Sequence, residues 1–145
     1  AVGVGALEFL APLTEDEFPA ALGAADVLLV NERPGVAQTA VPSKLTTYFR
    51  SGKPVLAAAD SGGFTAMEIA ASGAGICVPA GRPDLLLREA LRLGSDPDLA
   101  GAMGAAGQHY CAETLSEIAA LDRYERWITD LAAMRRSTTS AEPVP

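Results

Sequence analysis

The run Ser43-Lys44-Leu45-Thr46-Thr47-Tyr48-Phe49-Arg50-Ser51-Gly52-Lys53-Pro54-Val55-Leu56-Ala57-Ala58-Ala59 decides the fold. Its first part reads as a helix from about Ser43 to Ser51, stopped by Gly52 at the position that favours a left-handed backbone. Pro54 then opens a strand at the one place where no ladder donor is required. The strand itself, to Ala59, is apolar at every position, as expected when both faces of a sheet are covered. Upstream, Asp26-Val27-Leu28-Leu29-Val30 is a second run of the same kind, joined to the helix by a polar loop from Asn31 to Pro42. Strand, loop, helix and strand in that order make a βαβ unit, which implies a parallel sheet with a right-handed crossover.

The same alternation continues outward. A helix from about Phe64 to Ser72 ends at Gly73, and Gly75 to Val78 is a further strand. Pro83 to Leu93 is a helix with Pro in its first turn, and Asp96-Pro97 starts another that runs to about Cys111. The last helix, Leu115 to Arg136, places Leu115, Ile118, Leu121, Tyr124, Ile128 and Leu131 on one face. Towards the N-terminus, Leu7-Glu8-Phe9-Leu10 reads as a short strand. Thr14-Glu15-Asp16-Glu17 is a capping box opening a helix to about Leu22, ended by Gly23. Ser137 to Pro145, rich in Ser, Thr and Pro, is expected to be a disordered tail. The class is α/β: a Rossmann-like parallel sheet flanked by helices, in one domain spanning residues 1–136.

Composition agrees and excludes some functions. Nearly half of the 145 residues are apolar but only 6% are aromatic, so Ala, Leu, Val and Gly carry the core. Small side chains suit helices packed closely on a parallel sheet better than a β-sandwich. The net charge of −7, with no Lys/Arg cluster before the last helix, argues against nucleic acid as a partner. A single anionic nucleotide remains compatible, because helix starts and one cation can hold it locally. Cys77 and Cys111 read as small buried thiols in a reducing compartment. No apolar run reaches the ~20 residues that span a bilayer, and no signal peptide is visible. No zinc spacing, Walker loop or nucleophile elbow is present, and no metal or cofactor is expected. His109, the sole histidine, has no catalytic partner in register and reads as a surface residue.

Ligands of open parallel sheets bind beyond the carboxyl ends of the strands. Two loops lie there. The first feeds the helix at Ser43-Lys44, whose free amides, hydroxyl and ammonium form a small anion site. Thr47 shares a face with Ser43, and Tyr48 with Lys44. The second is Asp60 to Gly63, where Gly62-Gly63 allows close backbone approach or unusual dihedrals, with Ser61, Thr65 and Glu68 near the same mouth. Taken singly, each pattern is more often an ordinary cap, a plain turn or a solvated helix face.

Read together, Val41-Pro42-Ser43-Lys44-Leu45 to Tyr48, followed by Gly52-Lys53-Pro54-Val55, closely resembles the Pro-Ser-Lys…Tyr…Gly-Lys/Arg-Pro-Val segment of family-four glycosyltransferases of the colanic-acid type. Gly73-Ala74-Gly75-Ile76-Cys77-Val78-Pro79, then Pro83-Asp84-Leu85, is similar to the family's Gly-x-Gly-x-x-Val-x-Pro stretch and the helix after it. Asp96-Pro97, Met103-Gly104, and Tyr124 with Trp127 resemble its later segments. The resemblance covers about residues 7 to 130.

That resemblance implies the C-terminal, donor-binding domain of a GT-B enzyme, one that moves a sugar from a nucleoside diphosphate sugar, usually of uridine, to a glycan or lipid-linked acceptor. By the family pattern Ser43 and Lys44 meet the diphosphate, while Ser61, Gly62, Gly63, Thr65 and Glu68 face the sugar. Thr47 stands where many relatives carry a ribose-binding Glu, and Thr39 where they carry the other Glu of a Glu-x7-Glu pair. The first βαβ of the domain and the N-terminal acceptor domain are expected to be missing. The fragment alone should then be inactive, with an exposed sheet edge open to self-association. No catalytic residue is assigned. The expected location is the cytoplasm, with peripheral membrane association open for a full-length enzyme. Two alternatives stand beside this: a catalytically silent truncated module, and a fragment of a GT-B-type UDP-sugar 2-epimerase.

Overall fold

The structure, a computed structural model, describes residues 8–36 and 43–139. Within them the order is α1 (Glu17–Ala24), β1 (Leu28–Asn31), α2 (Lys44–Arg50), β2 (Val55–Ala59), α3 (Phe64–Ser72), β3 (Gly75–Pro79), α4 (Pro83–Ser95), α5 (Pro97–Glu113) and α6 (Glu117–Thr139). The three strands form one parallel sheet in the order β1-β2-β3, with Leu28 opposite Val55 and Val55 opposite Gly75. Each crossover is a helix, as parallel pairing requires. The α/β, Rossmann-like reading of the sequence therefore holds at the level of class.

Side-chain alternation divides the sheet into two faces. Val30, Val55 and Ala57 point into a core closed by Leu45 and Phe49 of α2, Ile69 of α3 and Ala74. Phe49 is fully buried and meets the Tyr110 ring of α5 edge-on, with centroids 6.0 Å apart. Glycines let α5 lie this close. A Cβ at Gly104 would come within 1.9 Å of the Gly52 carbonyl oxygen, and one at Gly107 within 3.3 Å of Phe49 Cα. On the opposite face α4 packs on β2 and β3.

That second face is where the sequence misleads. β1 is apolar through Leu28-Leu29-Val30, which suggests cover on both sides, yet Leu29 is 47% exposed. Among the described residues β1 is an outer strand, and no residue of α1 is buried. Leu7–Leu10 is not a strand either: Leu7 lies outside the described residues, and residues 8–10 are irregular and exposed. A short extended segment without a ladder partner gains no hydrogen bonds to offset its lost entropy.

Local signals fared better. The capping box forms, with Glu17 N–H donating to Thr14 Oγ1 at 3.3 Å and Thr14 N–H donating to a Glu17 carboxylate oxygen at 2.9 Å. Gly52 (φ +73°) and Gly73 (φ +62°) both adopt the left-handed conformation that ends a helix. The Asp96 carboxylate accepts from the Leu99 amide, capping α5. Gly23 does not stop α1, which continues through it to Ala24, and α4 runs past Leu93 to Ser95. α6 runs to Thr139, so residues 137–139 are helical rather than part of a tail; residues 140–145 lie outside the described ones. Of its apolar stripe, Leu115 precedes α6 and packs against the core, while Ile118, Leu121, Tyr124, Ile128 and Leu131 are all exposed.

Candidate functional site

Because all three strands run the same way, α2, α3 and α4 all begin at one rim, beyond the carboxyl ends of β1, β2 and β3. Ser43 and Lys44 stand exposed at the start of α2, with Thr47 exposed one turn on. Ser61 and Gly62 are exposed, and Gly63 is buried, at the start of α3. The topology thus brings Ser43-Lys44 and Gly62-Gly63 to the same rim. Thr39 and Pro42 of the preceding loop lie outside the described residues.

Neither helix start is closed by its own side chain. Gly63 cannot cap α3, and Ser43 makes no side-chain cap bond on α2. The first amides of α3 are therefore available to an acceptor other than a local side chain, with the dipole favouring negative charge there. Gly62 and Gly63 do not adopt unusual dihedrals, contrary to one reading of the pair. The positive-φ glycines of the rim are Gly35 (φ +87°) and Gly81 (φ +77°).

Two residues placed further inside have other commitments. Thr65 is 1% exposed, and its hydroxyl donates to the Glu32 carboxylate. Glu32 continues the alternation of Leu28 and Val30, which carries its side chain to the α3 side of the sheet just past the strand end. Its amide still donates to the Ala58 carbonyl at 2.9 Å, extending the ladder by one bond. Glu68 lies a turn deeper along α3, beside the Tyr110 hydroxyl of α5. Burial first, and then that carboxylate, raise the Tyr110 pKa.

No family model matches the chain, and neither a curated protein nor a solved structure matches it. Its chemistry must be read from the rim itself.

The sequence pattern did not single out Glu32 or Asp60, although both directly follow strand ends. The Asp60 carboxylate accepts the Gly35 amide at 2.7 Å, and its carbonyl accepts the Gly63 amide at 2.9 Å. Pro34 reaches the β3–α4 loop, where a Cβ at Gly81 would sit 3.3 Å from Pro34 Cγ. Arg82, the first cation after β3, is held by Asp84, with 2.9 and 2.6 Å contacts that pull the Asp84 pKa down to about 2. The rim therefore has a basic side at Lys44 and an acidic side at Glu32 and Asp60. Lys44 has no ion-pair partner among the described residues.

Other groups lie elsewhere. Cys77, on β3 beside the core, has its pKa raised by burial, and the Cys111 thiol contacts the Thr46 carbonyl at 3.4 Å. Both cysteines are free and half-buried. His109 is exposed on α5. Among the described residues there is no cluster of three or more metal-ligating side chains, and no helix is long and apolar enough to cross a membrane.

Proposed function

We propose that this chain is the donor-binding domain of a GT-B-type glycosyltransferase of the family-four kind, gripping a nucleoside diphosphate sugar, a uridine diphosphate sugar first of all. The observation that carries the reading is the shared rim: Ser43-Lys44 and the uncapped Gly63 start of α3 open on the same end of one parallel sheet. Together with the ordered motif run from Pro42 to Pro79, that placement supports a diphosphate lying between the two helix starts. Lys44 would meet charge as it grows on the departing diphosphate, which is how such sites speed cleavage at the anomeric carbon without a metal. Hydroxyl groups of a sugar suit the carboxylate side of the rim, where Glu32 offers an acceptor. In this reading the acceptor domain and further strands of the donor domain lie outside the chain. The isolated chain would then be inactive and would self-associate through the β1 edge.

Calorimetry with uridine diphosphate tests the proposal on the chain as it stands. Binding heat is expected, and Lys44→Ala should weaken the affinity about tenfold by removing one charge-assisted contact. Absence of heat from the unsubstituted chain rejects the reading. One observation favours the silent-module alternative: two carboxylates, Glu32 and Asp60, lie at the rim proposed for an anion. Nothing at the rim favours the epimerase reading, since the one histidine is on α5.

A further inference from the structure

Three loops meet at the rim, and a single side chain ties two of them at once. Asp60 closes the turn before α3 through its carbonyl, bound by the Gly63 amide at 2.9 Å, while its carboxylate holds the Gly35 amide of the β1–α2 loop at 2.7 Å. Gly35 has φ +87°, a conformation that L side chains rarely adopt, so the amide is presented by a turn that only glycine forms without strain. Pro34, one residue earlier, rests against Gly81 of the third loop. The Glu32–Thr65 hydrogen bond adds a second link between the β1 end and the first turn of α3.

The same bond has a second effect. Asp60 stands three residues before Gly63, the N-cap of α3, at the head of the turn that leads into that helix. With its carboxylate engaged by Gly35, α3 has no side-chain cap and its first amides stay open.

We propose that Asp60 is a positioning residue of the rim: by binding Gly35 it locks residues 32–36, the first part of the β1–α2 connection, onto the α3 start and keeps the α3 amides available to a diphosphate. The ligand half of this rests on the donor-site reading above. Charge and position are separable here, because Asp60→Asn and Asp60→Ala both remove the negative charge, whereas only Asn keeps an oxygen that can accept from Gly35.

Amide hydrogen exchange and calorimetry with uridine diphosphate on the full 145-residue chain and both variants decide the matter. Exchange at Gly35 should accelerate about tenfold or more in Asp60→Ala and stay near the parent rate in Asp60→Asn. Uridine diphosphate should bind Asp60→Ala about tenfold more weakly than Asp60→Asn, and Asp60→Asn at least as tightly as the parent. Equal Gly35 exchange in the two variants overturns the proposal, and so does equal affinity. No heat from the parent chain rejects the donor-site reading and the ligand half with it. The coupling of the loops then stands or falls on the exchange rates.

Discussion

Gly104→Ala should cost about 3 kcal/mol or more, enough to leave a marginal domain largely unfolded. The new methyl carbon would sit 1.9 Å from the Gly52 carbonyl oxygen, 2.7 Å from its carbon and 3.4 Å from the Lys53 nitrogen. Every one of these atoms is backbone, so no rotamer change can relieve the overlap. Gly52 is itself pinned by its left-handed conformation and by the bond from its amide to the Phe49 carbonyl. Either α5 moves off α2 or the turn into β2 is distorted, and both disturb the core around Phe49. Gly101→Ala, one turn earlier on the same helix, is the control. A Cβ there meets nothing within 4 Å, and alanine should stabilise the helix by up to about 1 kcal/mol. Urea unfolding followed by circular dichroism reads both. A Gly104→Ala chain as stable as its parent would show that α5 does not lie against the Gly52 carbonyl.

Phe49→Ala is expected to lower stability by about 3–5 kcal/mol. Phe49 is the largest fully buried side chain among the described residues, touching the sheet core and the Tyr110 ring. Its removal leaves a cavity walled by β2, α3 and α5, of which β2 is held on both sides by the parallel ladder, so the site can collapse only in part. The change should also loosen the start of α2, because Phe49 and Leu45 are the only buried residues of that helix. A loss below about 1.5 kcal/mol in the same urea experiment would mean that α2 is not anchored through Phe49.

Much of the fold was legible because it is encoded locally. The capping box at Thr14-Glu17, the left-handed glycines at 52 and 73, the Asp96 cap and the apolar runs of β1, β2 and β3 depend on neighbours within a few residues. Such signals survive whatever the rest of the chain does. The candidate rim was legible to the same depth. Apolar strands followed by helices place Ser43-Lys44 and Gly62-Gly63 beyond the carboxyl ends of a parallel sheet, with no knowledge of distances.

Burial and partnership were not legible, and the misses have one cause. Leu29 looks like a core residue in sequence but stands half-exposed, because its burial depends on a helix over that part of the sheet. Beyond Leu115 the stripe of α6 has the right period but stands exposed, while Glu8-Phe9-Leu10 has strand-like residues and no ladder among the described residues. Glu32 and Thr65 are 33 residues apart, and Gly35 and Asp60 are 25 apart. No local pattern links them.

The sequence by itself determined the order of strands and helices from α1 onward, the parallel class, and the end of the sheet at which Ser43-Lys44 and Gly62-Gly63 gather. Those follow from periodicity, glycine dihedrals and capping, which act over a turn or two of chain. Only the tertiary structure decided that Thr65 is buried against Glu32, that Asp60 holds the neighbouring loop, and that β1 and α6 keep apolar surface exposed. These are products of which segments meet in space, and a side chain's partners are fixed only when the backbone has brought distant residues within a few ångströms.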